Sequence, residues 1–137
     1  MEVKDCIELL YNLKILDKKL IDLFEKKIGI SLTRFQIIKY LYEVSFTTSK
    51  QLAQSLEIDA AAITRHLRIL EQEGYVIKRR NEFNNREVFV ELSQKALDEI
   101  GRCEKEMNVR DLIGEEFTTE DLQNLVQLLN KFNKNFK

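Results

Sequence analysis

Between Lys4 and Ile28 the chain places Leu9, Leu13, Leu16, Leu20 and Leu23 at alternating spacings of four and three, with Phe24 beside them. That spacing predicts one long helix with a heptad-like ridge. A leucine ridge either completes an internal core or meets a second surface, and one this long favours packing against a partner. Gly29 predicts the end of the helix. Leu32-Thr33-Arg34-Phe35-Gln36 opens a second helix, with Thr33 the expected cap, Gln36 reaching back to it, and Ile37, Ile38 and Leu41 as the buried face. A second Thr-x-x-Gln box, Thr48 to Gln51, opens a short helix bearing Leu52, Ala53 and Leu56. Asp59 is then placed to cap a helix from Ala60 to Glu73, with Ile63, Leu67 and Leu70 on one face and Gly74 as its stop.

From Tyr75 to Arg80 and from Arg86 to Leu92 the pattern turns to β-branched and aromatic residues, and Asn81-Glu82-Phe83-Asn84-Asn85 between them reads as a hairpin tip. Helix, turn, helix, hairpin is the order of a winged helix. Ser93 is placed to cap a further helix in which Ala96, Ile100, Cys103 and Met107 share a face. Thr118 should cap the last helix, with Phe117 and Leu122 as a hydrophobic staple. This final helix carries Leu122, Leu125, Val126, Leu128, Leu129, Phe132 and Phe136, an apolar surface wider than a monomeric surface helix needs, so it is expected to pack against another chain. The expected fold is mainly α with a small β-hairpin wing. It forms one domain over residues 1–137, with a winged helix-turn-helix at 31–92 flanked by helical dimerisation regions at 1–30 and 93–137.

On the helix from Ala60 to Glu73, a rotation of about 100° per residue turns Ile63, Leu67 and Leu70 inward and leaves Ala61, Arg65, Arg68 and Gln72 outward. Small residues at its start allow close approach to the major groove, and an arginine further along can donate a bidentate pair to guanine O6 and N7. Arg65 is the first candidate for a base contact, supported by Thr64 and Arg68. Taken alone, the same residues are also what any solvated amphipathic helix shows.

Composition sharpens that choice. The 137 residues carry a formal net charge of −1, with four Gly and no Pro, and 44% are hydrophobic. This suits a mostly helical soluble protein and gives no chain-wide grip on nucleic acid. Yet Ala60 to Arg86 holds six cations (Arg65, Arg68, Lys78, Arg79, Arg80, Arg86) against Glu71, Glu73 and Glu82, a net +3 that leaves −4 for the remainder. Positive charge is concentrated where such a fold meets a phosphate backbone. Arg86, after the polar tip, is placed for the edge of a minor groove, or else for a cross-strand pair with Glu82 or Glu87. Thr48, Ser49 and Lys50 start a helix whose free backbone N–H groups suit a phosphate oxygen.

From Leu32 to Leu97 the chain resembles the MarR family in Leu32-Thr33-x-x-Gln36, Gln51-Leu52-Ala53, Ile63-Thr64-Arg65, Leu70-Glu71-x-x-Gly74-Tyr75-Val76, and Arg86 before Val90-x-Leu92-Ser93. Flanking helices extend the likeness over nearly the whole chain. The resemblance implies terminal helices that form a dimer, a second motif helix in the major groove and a wing arginine in the minor groove, roles that fall on Arg65 and Arg86. Two departures stand out. Asn84 occupies the position where the family usually has an aspartate that pairs with the wing arginine, so the charge-assisted part of that pairing is lost. Ala60-Ala61-Ala62 replaces the usual hydroxyl residues, so fewer hydroxyl contacts to DNA are offered.

The resemblance also implies a repressor released by a small phenolic ligand or, in some members, by oxidation of a cysteine near the N-terminus. Cys6 fits the second idea by position, but no electropositive partner for a thiolate is evident, which favours a small packed hydrophobe, and Cys103, on an apolar stripe, is expected in the core. Tyr11, Phe24, Phe35, Tyr40, Tyr42 and Phe46 are candidates to line a cavity for a small aromatic effector, or to be core. No cofactor or metal is expected: one histidine, His66, and two distant cysteines make no ligand set, and His66 is expected to pack or to meet a phosphate. With no Gly-rich phosphate loop, HExxH or nucleophile elbow, an enzyme is not expected. No segment reads as a membrane span or secretion signal, so a cytoplasmic location is expected. The expected partners are double-stranded DNA and a second copy of the chain. The competing reading is a winged-helix adaptor that binds an acidic protein and has no operator.

Overall fold

The first helix of the computed structural model, α1 (Val3–Ile28), begins where the Glu2 N–H donates to Asp5 Oδ2 at 2.9 Å and ends at Gly29, whose φ of +82° is the left-handed conformation glycine adopts without strain. The structure describes residues 1–84, 87–106 and 108–136. Arg86 and Met107, both singled out from the sequence, lie outside the described residues, as does the side chain of Phe136. The described residues fall into two compact units, Met1–Lys105 and Glu106–Lys137.

In the first unit α1 is followed by α2 (Leu32–Val44), β1 (Phe46–Thr48), α3 (Ser49–Leu56), α4 (Ala60–Gln72), β2 (Val76–Arg80), β3 (Val88–Leu92) and α5 (Gln94–Glu106). Ser31, and not Thr33, caps α2: its backbone is extended and its Oγ accepts the Arg34 N–H at 3.2 Å, whereas Thr33 already lies within the helix. The Thr48 box forms as expected, with Gln51 N–H donating to Thr48 Oγ1 and Thr48 N–H to Gln51 Oε1, each at 3.2 Å. Asp59 occupies the cap position of α4 but its carboxylate accepts no capping hydrogen bond. Gly74, at φ +82°, reverses the chain after α4, and the Tyr75 N–H returns to the Leu70 carbonyl at 2.8 Å.

The sheet is antiparallel in the order β1-β3-β2, with Thr47 opposite Val90 and Val76 opposite Leu92. Strand β1 was not anticipated. Three residues are too few for a visible alternation, and the strand exists because β3 supplies its partner. Ile37, Ile38 and Leu41 of α2, Leu52 of α3, Ile63, Leu67 and Leu70 of α4, Val76 and Val90 form one buried core, with Ala96 of α5 also buried. The predicted inward stripe of α4 is therefore the centre of the motif. By contrast α1 has no buried residue, and its ridge leucines are 36–50% exposed.

The second unit holds α6 (Val109–Ile113), α7 (Thr119–Asn133) and a 3-10 turn (Lys134–Phe136). Helix α6, capped by Asn108, was not foreseen. Thr118 caps α7 as expected, accepting the Asp121 N–H at 3.1 Å while the Asp121 carboxylate accepts the Thr118 N–H at 3.0 Å. Leu125, Val126, Leu128, Leu129 and Phe132 of α7 are exposed. Among the described residues no helix is long and apolar enough to cross a membrane.

Candidate nucleic-acid interface

Burial of Ile63, Leu67 and Leu70 fixes the rotation of α4, so Ala61, Thr64, Arg65, Arg68 and Gln72 are all exposed along its other side. Thr64 donates its hydroxyl proton to the Ala60 carbonyl at 3.0 Å, which leaves the oxygen lone pairs outward as acceptors. Thr48, Ser49 and Lys50 at the start of α3 share one open concavity with Asn84, Glu87 and Val88 of the hairpin. The first turn of α3 and the wing, 34 residues apart in sequence, thus face the same space.

Charge along β2 is partly engaged. Lys78 Nζ lies 3.7 Å from Glu71 Oε1 and Arg79 Nε 2.7 Å from Glu91 Oε1. Both pairs sit at the surface, where an ion pair is worth at most about 1 kcal/mol and yields readily to phosphate. At the tip, Asn81 donates its backbone N–H to the Glu87 carbonyl at 2.9 Å and its amide to Glu87 Oε2 at 3.1 Å, while its Oδ1 accepts the Phe83 N–H at 2.9 Å. Glu87, one of the two acids suggested as partners for Arg86, thereby accepts a hydrogen bond from Asn81.

His66 flanks the inward stripe of α4, half-buried, and its Nδ1 is buried without a hydrogen-bond partner, as is Arg34 Nε of α2. Burial first, then the positive charges of Arg34 and Arg65, hold the His66 pKa below the ordinary histidine value. Sequence reasoning passed over Arg34, although its spacing of three, four and seven from Ile37, Ile38 and Leu41 marks it as belonging to the buried face of α2.

A cavity of about 50 Å³ is lined by Ile28, Ile30, Phe35, Ile38, Tyr75 and Ala96, with Glu99, Arg102 and Cys103 adding polar groups. Of the six aromatic residues proposed from sequence for an effector cavity, Phe35 lines it. Phe24 packs edge-on against Phe35 at 5.6 Å, the Tyr40 hydroxyl pairs with Ser55 Oγ at 3.0 Å, Phe46 stacks edge-on with Phe89, and Tyr11 and Tyr42 are exposed. Tyr75, missed because it was read as part of a strand, is drawn in by the reversal at Gly74. Its pKa is raised by burial and by the neighbouring Glu99 and Glu73 carboxylates. Cys103 is half-buried and borders this cavity, while Cys6 is exposed on α1 with its thiol 3.4 Å from the Met1 sulfur. No group of three or more potential metal ligands occurs among the described residues.

The model of the MarR family matches residues 30–88. The uncharacterised HTH-type transcriptional regulator YdgJ of Bacillus subtilis is 31% identical over 130 residues, 93% of this chain and 79% of that protein. A mutant MarR from E. coli complexed with operator DNA superposes with a TM-score of 0.81 at 22% identity, over 96% of this chain and 99% of that one. The organohalide-sensing transcriptional regulator RdhR-CbdbA1625, in its 2,4-dichlorophenol-bound form, superposes with a TM-score of 0.82 at 18% identity, over 98% of this chain and 82% of that one. At such identities the two structures establish the winged helix-turn-helix fold. With the motif, the core and the sequence relationship agreeing, the chain is a transcription regulator that belongs to the MarR family.

Proposed function

We propose that the protein is a sequence-specific double-stranded DNA-binding repressor that acts as a homodimer on a pseudo-palindromic operator. The observation that carries this reading is the outward face of α4, where Arg65 and Arg68 are exposed behind a small-residue start. In this reading α4 enters the major groove, Arg65 makes a bidentate contact to guanine, and Thr64, Arg68 and Ala61 line the approach. Thr48, Ser49 and Lys50 hold a phosphate, Asn84 supports the wing, and Arg86 enters the minor groove. The leucine ridge of α1 and the apolar face of α7 form the dimer, whose two copies of α4 address half-sites about 10 base pairs apart. Access to DNA locates the protein in the cytoplasm. It has no catalytic role.

Release by a small aromatic effector belongs to the same reading; the cavity lined by Tyr75, Glu99, Arg102 and Cys103, at about 50 Å³, has to widen before it admits such a ligand. The exposed Cys6 thiol is the position at which an oxidant would act. Membership of a family of transcription regulators leaves the protein-adaptor reading without support.

The deciding experiment measures binding to the DNA upstream of the protein's own gene and to a scrambled duplex at two salt concentrations. Selective binding that weakens steeply with salt is expected. Arg65→Ala should lose about 1 to 3 kcal/mol of discrimination at one base position. Equal, weak binding to both duplexes, followed by failure of a random-sequence selection to enrich any site, would count against an operator.

A further inference from the structure

Phe83 stands at the tip of the hairpin with 98% of its surface in solvent, more than any other large apolar side chain among the described residues. Its backbone, however, is not loose. Asn81 grips Glu87 across the hairpin through both its backbone and its side chain, and the same Asn81 accepts the Phe83 N–H at 2.9 Å. A phenyl ring on an anchored turn is held outward, where one on a free loop could fold back onto apolar surface.

The surroundings say what the ring meets. Behind it β2 carries Lys78, Arg79 and Arg80, and the next residue, Asn84, lines the concavity shared with Thr48, Ser49 and Lys50. A lone aromatic ring ahead of a cationic strand, at the rim of a surface that offers helix N–H groups, suits a polyanion with apolar edges between its charges. Duplex DNA has that chemistry: phosphates outside, sugar and base edges within the minor groove. An acidic protein would satisfy the cations but gives the isolated ring no defined place.

We propose that Phe83 is an apolar wedge that enters the minor groove beside each half-site and partly unstacks one base step there. This rests on the DNA-binding reading and adds to it a contact that reads deformability in place of hydrogen-bonding pattern. Phenylalanine wedges of this kind widen and kink the minor groove, and pyrimidine–purine steps such as TA and CA open most easily. The operator therefore carries such a step at the outer flank of each half-site, outside the bases addressed by Arg65. The ring replaces no counterion, so it adds affinity without adding to the salt dependence.

The chain contains no tryptophan, so Phe83→Trp introduces one indole at the tip of a turn where nothing has to repack. Anisotropy of a labelled duplex reports binding, and the indole reports its own surroundings. In the complex its emission should fall through stacking and acrylamide should quench it far less than in the free protein. Phe83→Ala should bind about tenfold more weakly, with an unchanged slope of log affinity against log salt. Saturated duplex with the indole as open to acrylamide as before, together with wild-type affinity for Phe83→Ala, would overturn the wedge and leave the regulator reading standing. Absence of any anisotropy change with duplexes from a random-sequence selection would sink the regulator reading and the wedge with it.

Discussion

His66 is the one histidine of the chain, and its position ties α4 to pH. Its Nδ1 is buried without an acceptor and its neighbours are Arg34 and Arg65, so the folded protein resists protonating it while the unfolded chain does not. Besides Arg34 of α2, the charged groups on elements packed against α4 include Lys50 of α3 and Lys78, Arg79 and Arg80 of β2, with Lys78 engaged by Glu71. Because the folded pKa lies below the unfolded one, the unfolded state binds more protons in the interval between them. The contribution is complete above the ordinary histidine value of about 6.5 and is lost as pH falls through the folded pKa. Urea unfolding at pH 7.5 and 5.5 should show the wild type weakened at the lower pH and a His66→Met variant weakened less. Equal losses for the two proteins would remove the role assigned to His66.

Caps and turns decide the elements, and here the chain was largely legible. The box at Thr48 and the cap at Thr118 formed as read, and Asp121 completes a box at the second: the threonine hydroxyl accepts the N–H three residues on while the Gln51 or Asp121 side chain accepts the threonine N–H, so two orphan N–H groups are satisfied. At α2 the sequence suggests Thr33, with Gln36 three residues on, and the structure uses Ser31. Both are hydroxyl residues near the start, and only the backbone angles, extended at Ser31, separate cap from first turn. Ser31→Ala should therefore lower stability by about 1 kcal/mol, with Thr33→Ala nearly neutral, both measured as urea midpoints at constant slope. The reverse order would restore Thr33 as the cap. Strand β1 and helix α6 escaped notice for a related reason: at three and five residues they are too short for a period to show.

Across the whole molecule, the apolar surface that the core does not use is concentrated on α1 and α7. The ridge leucines of α1 and Leu125, Val126, Leu128, Leu129 and Phe132 of α7 lie open to solvent in the single chain. Exposed stripes of this extent mark surfaces that bind something, and a second copy is the proposed occupant. Sedimentation should find a dimer for the wild type at micromolar concentration and a monomer for Leu16→Glu, with operator affinity lost in parallel because one recognition helix holds half the contacts. A folded wild-type monomer at tens of micromolar would dismiss the dimer.

The local order of helices, hairpin and caps, the inward stripe of α4 and its cationic outward face were determined by the sequence alone, because each depends on residues within a few positions of one another. Tertiary structure decided what depends on distant residues meeting: β1 finding β3, the start of α3 sharing a concavity with the wing, Arg34 reaching His66, and Tyr75 turning into the cavity beside Phe35. The same distinction explains Phe83, which the sequence displayed as one apolar residue in a polar tip. The turn from Asn81 to Phe83 is local, but the grip of Asn81 on Glu87 that anchors it exists only once the two strands have paired across the hairpin.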